Sequence, residues 1–268
     1  MAIVLRGNPE CYGQELCDCR GPVTGEHYVS ESVFNVLAGI TDSTPASKRF
    51  IGAKGLSFLK GDERPIGIAN LVGNVLCDHH NGELSRLQID QAGHDLFVAM
   101  RGMNNAAGDP TAREEVLVVD GDLLERWMLK VLLGTLYSGN FNMPPPGMKG
   151  EVPPLPWVEH IFRHTQLPKN QGLYIAVGAE PTPIVGDRWG LQLLPLNDNE
   201  CNVRGLTMWV LSFPFVLALA NPGPEIVNEL IYRPTGIRVI GGNKRIAFRW
   251  KGDHGDRDVV VEYRGSAT

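Results

Sequence analysis

A chain of 268 residues, 43% hydrophobic and 21% charged, has the balance of a folded globular protein, long enough for one large domain or two modest ones. Its net charge of −5 excludes a surface uniformly attractive to nucleic acid, while leaving room for local basic patches. The longest apolar run, Leu206 to Ala220, contains Ser212 and Pro214 and falls short of the roughly 20 residues of a membrane span; with no secretory pattern at the N-terminus, the expectation is a cytoplasmic protein without membrane association.

Residues 1 to 30 read as a Gly- and Pro-punctuated loop carrying Cys11 and Cys17-Asp18-Cys19, then Glu26-His27 at a strand or turn edge, since Tyr28 and Val29 favour extended backbone. Ser32 to Leu37 is a short helix or strand. From Thr41 to Gly73 glycines punctuate short apolar pieces, and two short strands or a β-ribbon are expected, at Gly55–Leu59 and Ile66–Leu71. This stretch is locally basic, with Lys48, Arg49, Lys54, Lys60 and Arg64 against Asp62 and Glu63.

The densest polar cluster follows in Cys77-Asp78-His79-His80-Asn81-Gly82-Glu83-Leu84-Ser85. Leu84 and Leu87 at i, i+3 place it on a helix from about His79 to Gly93. Asp122-Leu123-Leu124-Glu125 has capping-box logic and opens the strongest helix, through Trp127, Met128, Val131, Leu132 and Leu136, with a stripe broad enough to be buried on most sides. Six prolines between Gly139 and Trp157 read as a linker or extended connection without helix. Beyond it strands are expected at Leu173–Val177, Trp189–Leu194, Leu206–Val216, Gly236–Ile240, Lys244–Trp250 and Asp258–Tyr263, with Gly241-Gly242-Asn243 a hairpin loop.

Five cysteines, an odd number without framework spacing, point in a reducing compartment to metal more than to disulfides. Cys17, Cys19, Cys77 and His80 offer the thiolates and imidazole that structural zinc prefers, with Cys11 able to replace one of the early pair; a set of small buried thiols is the plain alternative. A one-metal nuclease needs a base for water and ligands that hold a divalent cation on the phosphate, and His27 with Glu26 and Asn81 supplies both. The plain alternative is that His27 caps a turn and Asn81 satisfies a helix end. His160 and His164, at i, i+4, read as surface or core packing. From Arg233 to Lys251 there are six basic residues and no acidic one. Arg245, Arg249 and Lys251 alternate with Ile246, Phe248 and Trp250, a strand whose basic face suits phosphate contacts and whose plain reading is a solvated surface.

In this order, Cys-x-Cys, Glu-His, and Cys-x-x-His-Asn followed by Gly-Glu-Leu-Ser resemble the HNH (ββα-metal) endonucleases, especially those with a zinc-held finger, over residues 11 to 95. The resemblance implies His27 as general base, Asn74 (less well Asn70) as the residue orienting it, and Asn81 with Glu26 as ligands of a catalytic Mg²⁺ or Mn²⁺. It also implies Cys17, Cys19, Cys77 and His80 around structural Zn²⁺. The expected architecture is α+β: an HNH-like ββα-metal domain over 1–110, a central helix within 111–140, and a mostly antiparallel β region over 141–268. The expected function is a metal-dependent endonuclease hydrolysing phosphodiester bonds in DNA; the alternative is a non-catalytic zinc-binding module recognising nucleic acid or a protein partner.

Overall fold

The computed structural model describes residues 10–264 except 42, 46–47, 55–63, 105–112, 142–151, 178–182, 186–190, 199–201, 211–212, 222–229 and 241–242. Among these residues the chain is α+β, with five α-helices and sheets in which antiparallel pairings outnumber parallel ones. It divides into two compact units, Met1–Gln91 with Leu129–Leu167, and Ala92–Met128 with Pro168–Thr268, where the sequence had suggested consecutive segments. No helix among the described residues is long and apolar enough to cross a membrane.

In the first unit, β1 (Val23–His27) pairs antiparallel with β4 (Val72–Cys77), and α2 (Asp78–Arg86) follows β4 directly. The register sets Gly25 opposite Asn74, Glu26 opposite Gly73 and His27 opposite Val72. Side chains alternate along strands, so His27 and Asn74 share one face of this ribbon while Glu26 lies on the other. The segment after β1 is helical, α1 (Glu31–Ala38), and ends on Gly39 in the left-handed region. A second ribbon joins β2 (Phe50–Ala53) to β3 (Arg64–Gly67). Its second arm ends earlier than the expected Ile66–Leu71, because Ile68–Asn70 is a 3₁₀ turn, and the other expected strand, Gly55–Leu59, falls outside the described residues.

The helix expected to run to Gly93 breaks at Gln88, whose positive φ of 59° ends the hydrogen-bond ladder; α3 (Ile89–Asn104) then starts afresh. After β5 (Glu115–Asp120), α4 (Gly121–Ser138) is the buried helix expected, with Trp127, Met128, Val131, Leu132 and Leu136 all in the core. Its cap is two residues earlier than the pattern suggested. Asp120 Oδ1 accepts from the Leu123 N–H at 3.0 Å, and Asp122 instead accepts from the Lys251 N–H at 2.8 Å. Gly93 brings α3 against α4: a Cβ there would lie 2.2 Å from the Trp127 ring. The proline stretch also yields α5 (Leu155–Arg163), because proline in a first helical turn forfeits a hydrogen bond the helix does not make.

The second unit holds two five-stranded sheets. One, in the order β11-β6-β10-β9-β8, is antiparallel throughout and is built from β6 (Gly172–Ala176), β8 (Leu191–Asn197), β9 (Val203–Val210), β10 (Phe213–Ala218) and β11 (Leu230–Tyr232). The single strand expected over Leu206–Val216 is thus two, paired with Phe213 opposite Val210. The other sheet is mixed, in the order β5-β13-β12-β14-β7, and adds β7 (Pro183–Val185), β12 (Gly236–Ile240), β13 (Lys244–Arg249) and β14 (Asp258–Arg264). β12 and β13 pair antiparallel as a hairpin would, and Gly241 and Gly242 between them lie outside the described residues.

Candidate metal centre

Four side chains from the two sequence clusters converge in the first unit. Cys77 is the last residue of β4 and the N-cap of α2, and His80 follows it by three residues, one helical turn, so both project from the same helix end. The early loop is strapped across that end by backbone hydrogen bonds: Tyr12 N to Val75 O at 2.9 Å, Asp78 N to Pro22 O at 2.8 Å and His79 N to Arg20 O at 3.2 Å. The latter two satisfy N–H groups in the first turn of α2, which has no earlier carbonyls of its own to receive them.

This strapping sets the sulfurs of Cys77, Cys11 and Cys19 at 3.3, 3.4 and 3.7 Å from His80 Nδ1. All four donor atoms lie within 4.8 Å of one another. Ligands of a tetrahedral ion with bonds of about 2.3 Å to sulfur and about 2.1 Å to nitrogen stand roughly 3.6 Å apart, so the spacing fits a bound metal. Cys11, Cys77 and His80 are almost completely buried. Burial pushes the Cys11 thiol well above the usual range, and the neighbouring Cys19 and Cys77 sulfurs push it further, so a thiolate set here calls for a cation. The group Cys11, Cys19, Cys77 and His80 can hold a metal ion.

Cys17, expected among the ligands, is not in this group. The 3₁₀ turn Gln14–Leu16 ends on Cys17 at a φ of 57°, which turns its exposed thiol toward Glu15 O, 3.6 Å away, and leaves Cys11 to take the fourth corner. Gly13 is required by the cradle: a Cβ there would sit 2.7 Å from His80 Nδ1 and 2.9 Å from Cε1. Gly13→Ala is therefore expected to displace the imidazole and weaken metal retention, at a cost of about 1–3 kcal/mol as in overpacked cores, measurable by competition with a chromophoric chelator.

The second group of sequence candidates is divided between the two faces of β1. Glu26 is buried beneath the ribbon, where it forms an ion pair with Lys130 of α4; Lys130 also meets Asp90 Oδ1 at 3.2 Å and donates to the His27 carbonyl at 2.7 Å. Burial raises the Glu26 carboxyl above its ordinary range against the pull of the ammonium. Strand alternation thus keeps Glu26 from facing the same ion as His27. His27 Nε2 lies 3.6 Å from Glu31 Oε2, one helical turn on, and its Nδ1 is buried. Burial lowers the pKa of this imidazole, with Glu31 opposing, so it is neutral at pH 7. Asn81 reaches back from α2 to β1, its Nδ2 donating to Thr24 Oγ1 at 3.0 Å and Gly25 O at 3.4 Å. Asn74 is exposed on β4, and Asn70 closes the 3₁₀ turn.

The sequence reading missed Lys130, a lysine within an apolar helix, and Glu31, one turn after His27. His160 and His164, read as packing residues, do not share a helix face: α5 ends before His164, whose φ of 57° takes it off the helix, while His160 is buried with Nδ1 2.6 Å from Thr165 O. In the second unit, β13 alternates as expected, with Ile246 and Phe248 buried and Arg249 exposed. Arg245, however, is bound in two-pronged fashion by Asp258, at 2.9 and 2.8 Å, which leaves Arg249 and Lys251 as the exposed cations of that set. Arg233 is also committed, and buried, paired with Glu125 through two hydrogen bonds of 2.8 Å. No family model, curated protein or solved structure matches this chain.

Proposed function

We propose that the chain is a metal-dependent endonuclease of the HNH type, hydrolysing phosphodiester bonds in DNA. The observation that carries this reading is the arrangement around β1: His27 and Asn74 on one face of the β1/β4 ribbon, and α2 running straight on from β4 with Asn81 tied to β1. Cys11, Cys19, Cys77 and His80 hold structural Zn²⁺. A Mg²⁺ or Mn²⁺ ion held by Asn81 would supply charge neutralisation at the scissile phosphate. Asn81, with its Nδ2 spent on Thr24 and Gly25, offers its amide oxygen as a ligand. His27 takes the proton of the attacking water on Nε2, the nitrogen 3.6 Å from Glu31 Oε2, since Nδ1 is buried, and its lowered pKa favours the neutral imidazole that this role needs. Arg249 and Lys251 supply phosphate contacts that carry no sequence preference.

The test is plasmid cleavage in Mg²⁺ or Mn²⁺. His27→Ala is expected to cut about 10²- to 10⁴-fold more slowly than wild type, the usual worth of a general base. A wild-type chain that cuts under no metal, or an alanine variant that cuts as fast, would overturn the proposal. One observation favours the rival, a non-catalytic zinc module that recognises nucleic acid or a protein: Glu26 is committed to Lys130, which leaves the catalytic ion one candidate ligand fewer.

A further inference from the structure

We infer that Asp18 and Arg163 form a relay by which α5 sets how tightly the metal centre holds its ion. The inference rests on reading Cys11, Cys19, Cys77 and His80 as a metal site. It concerns two residues outside the ligand set and a helix some seventy-five residues further along the chain than His80.

His80 has one nitrogen to give to a metal, and which one is decided by what the other does. Nε2 lies 2.9 Å from Asp18 Oδ1 and donates to it, which leaves the lone pair on Nδ1, the atom that faces the three sulfurs. With the proton on the other nitrogen, an N–H would point at the place the ion must occupy. Asp18 is held in turn. Its second oxygen accepts from Arg163 Nη2, the last residue of α5, and His79 Nε2 lies 3.9 Å from the same oxygen. Asp18 thus sits between the ligand imidazole and α5, with one oxygen for each.

A second contact binds the same elements. The Phe162 ring lies 4.9 Å from the His80 ring at 49° and 6.3 Å from the ring of Tyr12, the residue after Cys11. The end of α5 therefore meets both ligand-bearing segments, His80 through the Phe162 ring and the early loop through that ring and a charged hydrogen bond to Asp18. When two events share contacts in this way, each favours the other by the same factor. Docked α5 holds the imidazole ready for the ion, and a bound ion holds α5 in place.

The experiment uses the full chain and Zn²⁺, with affinity read by competition against a chromophoric chelator and coordination read from the visible spectrum of the Co²⁺-substituted protein. Asp18→Ala is expected to weaken binding about 10- to 100-fold, the usual effect of losing the carboxylate behind a histidine ligand. Arg163→Ala, at an exposed residue and so without risk to folding, is expected to weaken it about two- to fivefold. Asp18→Asn keeps an acceptor for the Nε2 proton and is expected to fall between wild type and Asp18→Ala. Hydrogen exchange of residues 155–163 is expected to slow when Zn²⁺ is added to wild type, and to slow less in Arg163→Ala. Affinities for the Asp18 and Arg163 variants indistinguishable from wild type, or exchange in α5 indifferent to Zn²⁺, would overturn the relay while leaving the metal site standing. A wild-type chain that takes up no Zn²⁺ would remove the metal site, and the relay with it.

Discussion

A chain carrying Cys77→Ser is expected to lose the capacity of Cys11, Cys19, Cys77 and His80 to hold a metal and, with it, the order of the first unit. Cys77 is fully buried where β4 passes into α2, and the segments holding the other three ligands meet at that point: the loop with Cys11 and Cys19, and the first turn of α2 with His80. A serine oxygen there is a poor ligand for a soft-ligand site and a hydroxyl without a partner in a buried pocket. Structural zinc contributes about 10–16 kcal/mol to the folding of small finger peptides. In a unit with its own apolar core the loss is expected to be smaller, on the order of 3–5 kcal/mol. Metal analysis and thermal denaturation with and without a strong chelator check it. Wild type should melt lower with chelator, and the variant should be indifferent to it; a variant that keeps one equivalent of metal and the wild-type melting point would refute the assignment.

The second large effect is expected from Lys130→Met, which preserves length and removes charge. The ammonium is buried and answers two carboxylates, Glu26 and Asp90, besides the His27 carbonyl. Breaking a buried ion pair by removing one partner costs about 3–5 kcal/mol, because the remaining charge is left in a medium that solvates it poorly. The loss should depend on pH. Burial already raises the Glu26 carboxyl, and without Lys130 it rises further. A carboxyl whose folded pKa lies above its unfolded value destabilises once the unfolded chain ionises, so the deficit should be small below the ordinary carboxylate range and grow as pH rises through it. Denaturant midpoints at pH 4.5 and pH 7.5 measure this; an equal deficit at both would show that Glu26 is not the group left stranded. His27, carried on the same strand and bonded through its carbonyl, would be displaced with it.

Much of the fold could be read from local pattern. The broad apolar stripe found α4, and alternation found β12, β13 and β14 within a residue or so, because these elements bury faces whose period is written in their own side chains. The metal site was half legible. The spacing of Cys77 and His80 on a helix start named two members of the group that can hold a metal, but choosing among Cys11, Cys17 and Cys19 required knowing that a 3₁₀ turn would end on a left-handed Cys17. Glu26 and His27 look like a pair in sequence and are separated by the strand itself, an inference open in principle once β1 is recognised. Others depended on distant chain: Lys130 reads as a stray cation in a core helix until Glu26 and Asp90 are seen around it, and Arg245 reads as a phosphate contact until Asp258 arrives from another strand. Such contacts are chosen by tertiary packing, and short-range pattern carries no record of them.

The mixed sheet also constrains how the protein is made. Among the described residues, β5 at residues 115–120 has β13 at residues 244–249 as its hydrogen-bonded neighbour, so the backbone groups it turns to β13 wait for that partner until the later strand has left the ribosome. At translation speeds of 5–20 residues per second the wait is on the order of ten seconds. During it Val116 and Val118, which remain open to solvent even in the finished protein, belong to an edge that any passing strand can join. Chaperone demand and inclusion-body formation should accordingly track the emergence of this segment, and slower synthesis would lengthen the exposure.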